Sequence, residues 1–217
     1  MEKPVEQYWS FRLREVKEAL ESNNFAVFLA SDREHAREIF MQEILPESGA
    51  RSVSFGGSVT VNKTGIYEQI KTLANLEILD TYDGTISREE MVERRRQALL
   101  VDLFLCGTNA VTESGMLVNL DMIGNRIGGL TFGPKHVVVL VGRNKIVADL
   151  DEAMFRIKNF VAPANAMRLE KQTPCVKTGH CQECSSPDRI CNTWTITEKS
   201  FPKGRVNVIL INEEIGL

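Results

Sequence analysis

Four of the five cysteines fall within CVKTGHCQECSSPDRIC (175–191), spaced Cys175-x5-Cys181-x2-Cys184-x6-Cys191. A C-x2-C pair lets two thiolates grip one ion, and flanking cysteines complete four-sulfur coordination. Both zinc and an iron–sulfur cluster accept four thiolates, so the spacing leaves the two open. Pro174, Gly179 and Pro187 suit an irregular loop that ordinary packing does not hold together, which puts metal ligation ahead of inert thiols. His180 stands beside Cys181 and is expected to support a ligand rather than to be one. A disulfide-stapled secreted domain fits poorly, because the cysteine total is odd and Cys106 is alone in the first 174 residues.

A second constellation is FGGSVTVNKTG (55–65). A strand, two glycines and a hydroxyl ahead of a helix bring backbone amides up to a phosphate or carboxylate, so Gly56, Gly57 and Ser58 are candidate ligand-binding residues. The competing reading is a tight strand-to-helix turn with Ser58 as its cap. The loop is neither G-x-G-x-x-G nor a P-loop, since no G-K-[ST] follows.

The third is LFLCGTNAVTESGMLVNLDMIGNR (103–126), in which a buried strand delivers Gly107, Thr108 and Asn109 to its C-terminal end. Glu113, in a glycine-bounded turn, is the candidate nucleophile or general base, and Asn125 and Arg126 are candidate ligand contacts, Arg126 by bidentate clamping. The competing reading for Asn119, Asp121 and Asn125 is turn chemistry, but so many short polar groups near one strand end favour a site for the segment as a whole. Cys106 is left out of it, because a strand-end cysteine is ordinarily a small buried hydrophobe. The mixed-charge run Glu89, Glu90, Glu93, Arg94, Arg95, Arg96 reads as a solvated helix face, and His35 and His136 as structural.

These groups need a scaffold. Trp9, Leu13, Val16 and Leu20 recur at spacings of three and four, which predicts an amphipathic helix over 5–24. FAVFLA (25–30), RSVSF (51–55), LEILD (76–80), VDLFLC (101–106), HVVVLVG (136–142) and RVNVILI (205–211) read as strands. Helices are expected from Ser31 or Asp32 to before Pro46, within 58–74, over 87–100 behind a Ser87/Glu90 capping box, and over 150–160. AVT and MLVNL form a hairpin around Glu113. Alternating strands and helices define an α/β fold with a mostly parallel sheet flanked by helices. One domain is expected over 1–217, with 170–195 a cysteine-rich, metal-binding elaboration inside it, because the apolar last strand returns to the sheet.

The bulk numbers are those of an ordinary globule: 217 residues, 43% hydrophobic, 25% charged and a formal net charge of −3. That charge gives no reason to expect a nucleic-acid or anionic-membrane partner. The start, MEKPVEQYWSFRLREV, lacks a signal peptide's basic n-region and apolar h-region, and a cytoplasmic location is expected.

GTNAVTESGMLVNLDMIGNRIGGLTFGPKHVVVLVGRNKIV (107–147) resembles the LUD-domain family, the lactate-utilisation proteins, in its glycine-bounded core, its G-N-R and its G-P before a hydrophobic strand. FGGSVTVNKTGI (55–66) is similar to that family's upstream glycine loop, and ILINEEIGL (209–217) to the end of its single-domain members. The resemblance implies a fold like that of ribose-5-phosphate isomerase, glucosamine-6-phosphate deaminase and the CoA-transferases, whose thioester-attacking glutamate Glu113 would match. It also implies a role beside an iron–sulfur lactate-oxidising system, although the C-x5-C-x2-C-x6-C run differs from ferredoxin spacing.

The leading expectation is therefore a redox-associated protein of lactate or other small organic-acid utilisation. It binds a small anionic acid, or its phosphorylated or CoA form, beside a four-cysteine metal centre, with an iron–sulfur cluster favoured over zinc. Redox partner proteins and a homodimer are compatible with this reading. A non-redox transferase or isomerase using Glu113 with structural zinc is the alternative, and a non-catalytic accessory subunit is the third. The sequence does not decide whether the chain is an enzyme.

Overall fold

The structure of the protein, a computed structural model, describes residues 2–217. Helix α1 (Glu2–Ser22) buries Leu13, Val16 and Leu20 and leads into strand β1 (Ala26–Ala30). Asp32 caps α2 (Arg33–Ile39), its side chain accepting from the His35 amide. The helix does not stop before Pro46. A π-helical turn (Phe40–Ile44) carries it into α3 (Leu45–Ser48), and the register shift of that turn accommodates a residue with no amide. Strand β2 (Ser52–Phe55) ends at the paired glycines. The one helix expected within 58–74 is two, α4 (Val59–Lys63) and α5 (Ile66–Ile70), broken at Gly65, whose φ of +74° suits glycine.

Beyond β3 (Glu77–Leu79), the Ser87 hydroxyl accepts from the Glu90 amide and starts α6 (Arg88–Gln97). Strand β4 (Leu103–Gly107) is followed by the hairpin β5 (Ala110–Thr112) and β6 (Leu117–Asp121), then by α7 (Asn125–Thr131). Next come β7 (His136–Gly142), β8 (Ile146–Val147), and α8 (Leu150–Arg156), which continues through a π-helical turn into α9 (Ala162–Arg168). The cysteine segment contains α10 (Pro174–Thr178), and β9 (Thr193–Thr197) and β10 (Val206–Ile211) close the chain.

Six strands form one parallel sheet in the order β1-β10-β7-β4-β2-β3, so the last strand returns between β1 and β7. Period-two alternation divides its side chains. Val138 and Leu140 of β7 face the cluster built with Phe40, Val61 and Ile66, while Val137, Val139 and Val141 face Leu13, Val16 and Leu20. Each fully buried side chain of that size stabilises the fold by about 1.5–3 kcal/mol. Burial on both faces is why HVVVLVG is apolar without interruption.

A second, four-stranded sheet has the order β8-β5-β6-β9. Its edge strand β9 pairs antiparallel with β6, Asn119 opposite Thr195, so the end of the cysteine elaboration is itself part of a sheet. No helix among the described residues is long and apolar enough to cross a membrane.

Candidate functional site

A pocket of about 370 Å³ opens where parallel strands β2, β3 and β4 end, and the turn after β7 completes it. Ligands of open α/β sheets bind at this kind of position. Gly56, Gly57, Ser58, Gly107, Thr108, Asn109, Asn125 and Arg126 all line it.

Their roles differ. Gly56 donates its amide to the Leu105 carbonyl, and a Cβ there would come within 2.9 Å of Cys106 Cβ and 3.0 Å of the Phe104 ring. It is a packing glycine. Gly57, with φ +72° and open space where a Cβ would lie, is the one the turn requires. Ser58 is the helix cap, its Oγ accepting from Val61, and its amide donates to Tyr82 Oη at 2.8 Å. Gly107 has no room for a side chain because Ser58 Oγ would lie 2.6 Å from its Cβ.

Arg126 is not a free clamp. It donates to Asp121, with which it forms an ion pair, to Asn109 Oδ1 and to the Gly107 and Leu120 carbonyls. Asn109 also accepts from the Leu120 amide, and Thr108 Oγ1 donates to the carbonyls of Ala110 and Val118. These side chains fix the pocket wall by cross-linking β4, the hairpin and the start of α7.

Three basic side chains that no motif or spacing marks share the pocket. Arg95 belonged to a run read as a solvated face. Arg94 pairs with Asp83 and Glu90, and Arg96 with Glu93, but Arg95 lines the pocket and has no ion-pair partner among the described residues. Desolvation holds it below the usual guanidinium value. Arg168, at the end of α9, donates only to Asn165 Oδ1 among the described residues.

Lys145 is 4% exposed and donates to Thr60 Oγ1 at 2.9 Å and to the Thr108 carbonyl at 3.1 Å. Burial first, then repulsion from Arg126 and Arg156, pushes it down to about 7. No spacing rule marks a lysine in a three-residue turn. Burial pushes Tyr82 up to about 12, so it remains a neutral hydroxyl in the pocket wall.

The structure does not bring Glu113 to this pocket. Its turn docks on α1: Glu113 pairs with Arg12, Asn23 Nδ2 donates to the Ser114 and Gly115 carbonyls, and a Cβ on Gly115 would lie 2.7 Å from the Ala19 backbone. Cys106 is fully buried, its thiol pushed up to about 12 by desolvation, as befits a packing residue.

The four clustered cysteines line a separate small cavity of about 20 Å³, together with Lys158, Arg189 and Ile190. The Glu183 amide donates to Cys181 Sγ at 3.4 Å, and Cys175 Sγ lies 3.2 Å from Thr173 Oγ1. Arg189 braces the loop through the carbonyls of Cys184 and Cys191. In kind, four thiols with N–H donors and cations around them suit a thiophilic metal. In arrangement they do not yet converge: among the described residues no three His, Cys, Asp or Glu side chains are placed to hold an ion. His180 is exposed, with Nδ1 3.0 Å from the Thr178 carbonyl.

Fold and site together define an α/β protein with a pocket at its strand ends and a cluster of cysteines on the far side of the pocket wall. The LUD-domain family model matches residues 13–211, and the chain belongs to that family. Its fold is similar to the crystal structure of a DUF162-family protein from Deinococcus radiodurans, with a TM-score of 0.52 and 15% identity over 94% of this chain and 98% of that one. Comparison with curated proteins gives no match.

Proposed function

We propose that the protein serves redox utilisation of small organic acids of the lactate and pyruvate class, binding the acid anion in the glycine-loop pocket. In this reading Cys175, Cys181, Cys184 and Cys191 hold a metal centre that connects the site to a redox partner protein. The observation that carries the reading is the charge of the pocket. Arg95 and Arg168 line it without an ion-pair partner among the described residues, and its one carboxylate side chain among them, Asp121, is already paired with Arg126. Leu120, Val161 and Ile190 supply an apolar side for a short aliphatic chain. A volume of about 370 Å³ is at the small end for ligand pockets and favours a free or phosphorylated acid over a CoA thioester.

Titration calorimetry with lactate and pyruvate, on protein purified without oxygen, tests the anion site. Removing one charge-assisted contact by Arg168→Gln is expected to weaken binding by about 10-fold or more. Iron, zinc and acid-labile sulfide measured on the same sample test the metal centre. Absence of both binding and metal would overturn the reading.

A second reading, a non-redox protein with zinc as a staple, has one observation in its favour. The cavity that the cysteines share with Lys158, Ala162, Pro163 and Ala166 is small, about 20 Å³, and helix α9 leaves little room beside the thiols for a multi-iron cluster. One zinc per chain without visible colour would select it.

A further inference from the structure

We propose that Lys145 is a nucleophilic amine that condenses with the carbonyl group of a 2-oxo acid held in the glycine-loop pocket, forming an imine. This rests on the reading of that pocket as an organic-anion site and adds to it a covalent step and an oxidation state of the ligand.

The first support is geometric. Lys145 lies at the end of a short turn between β7 and β8, in the pocket wall, with an exposure of 4%. Buried lysines in structural roles are ordinarily paired with a carboxylate. Here both partners of Nζ are neutral oxygens, the Thr60 hydroxyl at 2.9 Å and the Thr108 carbonyl at 3.1 Å. Two oxygens at that distance orient an amine without requiring it to be charged.

The second support is the surrounding field. Arg126 and Arg156 act against a proton on Nζ, the latter held beside it by donation to the Asn144 carbonyl. With burial, they bring the amine down to about 7, so a large share carries a lone pair at neutral pH. A third support is the close cover. A Cβ on Gly216 would meet Thr60 Oγ1 at 2.2 Å and Nζ at 3.0 Å, so the Ile215–Leu217 segment shields the amine from bulk water only because residue 216 is glycine.

Division of labour in the pocket follows. Arg168 and Arg95 take the carboxylate, which leaves the amine for the neighbouring carbonyl carbon. The lone pair attacks that carbon, the N–C bond forms as the C=O π bond opens, and the carbinolamine then loses the former carbonyl oxygen. Both protons of the amine leave with that oxygen as water, and C=N replaces C=O. A 2-hydroxy acid has no carbonyl to attack, so it binds without condensing.

The test uses the full chain with pyruvate and glyoxylate as probes and sodium borohydride as the trap, followed by intact mass and peptide mapping. The expected result is one reduced adduct per chain, on Lys145, requiring both oxo acid and borohydride, suppressed by excess lactate and absent from Lys145→Arg. Mapping on the unmodified sequence locates the adduct even if that variant folds poorly. Thermal stabilisation by pyruvate, lost in Arg168→Gln, is followed in parallel. Stabilisation without an adduct, or adducts spread over surface lysines and unchanged in Lys145→Arg, would overturn the imine and leave the anion site standing. Neither stabilisation nor adduct would remove both.

Discussion

At the scale of single residues, Lys145 is held in the pocket at a cost to the fold. In the unfolded chain it titrates at about 10.4, and in the fold at about 7. Between those values the unfolded state binds more protons, so this group makes stability rise with pH from about 7 to about 10; below 7 its burial cost is fully present. Lys145→Met, of similar length and without charge, is expected to be more stable than the natural chain at pH 7 by roughly 1–4 kcal/mol. That advantage should shrink toward pH 10, as read by urea unfolding at several pH values. A difference constant over that range would mean that the folded amine keeps its proton. The opposite holds at Glu113, half-exposed and paired with Arg12 outside the pocket. Glu113→Gln is expected to cost less than about 1 kcal/mol and to leave pyruvate binding unchanged in calorimetry.

At the scale of elements, the hairpin turn that looked like a reaction centre is the seat of α1. Gly115 has φ +81°, and a Cβ there would lie 2.7 Å from Ala19 C and 2.8 Å from Ala19 O, atoms of a helix backbone that cannot swing aside. Gly115→Ala is expected to destabilise by roughly 2–4 kcal/mol, from left-handed strain plus overpacking, visible as a fall in Tm. A Tm within a degree or two of the parent would mean that α1 shifts freely over the hairpin. Such contacts explain what the sequence could and could not convey. The run HVVVLVG needs no context, since only a strand covered on both faces is that apolar, and the glycine loop and strand β4 follow from local composition. What a glycine is for depends on a partner far along the chain, Ala19 for Gly115 and Cys106 for Gly56, and spacing carries no trace of it. Arg95 differs from Arg94 and Arg96 only by the side of α6 that it occupies, and Lys145 is one residue of a turn. The strand Thr193–Thr197 was hidden because its pairing partner is β6, more than seventy residues earlier.

At the scale of the molecule, the pocket and the thiol cavity are two sides of one wall. Helix α9 turns Asn165 and Arg168 to the pocket and Ala162, Pro163 and Ala166 to the cysteines, and Ile190 touches both cavities. The cysteine loop is held by one short helix, the braces from Arg189, the Lys158–Glu183 ion pair and the bonds that tie Gln172 to Asp188 and Ser186. None of these runs between thiols, and among the described residues no three His, Cys, Asp or Glu side chains are placed to hold an ion. Under the proposal that Cys175, Cys181, Cys184 and Cys191 bind a metal, ligation draws the loop onto α9 and fixes the helix that carries Arg168. Metal removal by a chelator should then lower Tm by several degrees, a few kcal/mol in a domain of this size. It should also weaken pyruvate binding several-fold, while far-UV circular dichroism keeps the signal of the six-stranded sheet, whose cores lie on its two faces. Restoring zinc or iron to the stripped protein should recover both Tm and binding. Pyruvate affinity that is indifferent to metal would separate the two sites and leave the cysteines to bind a partner or staple the loop alone.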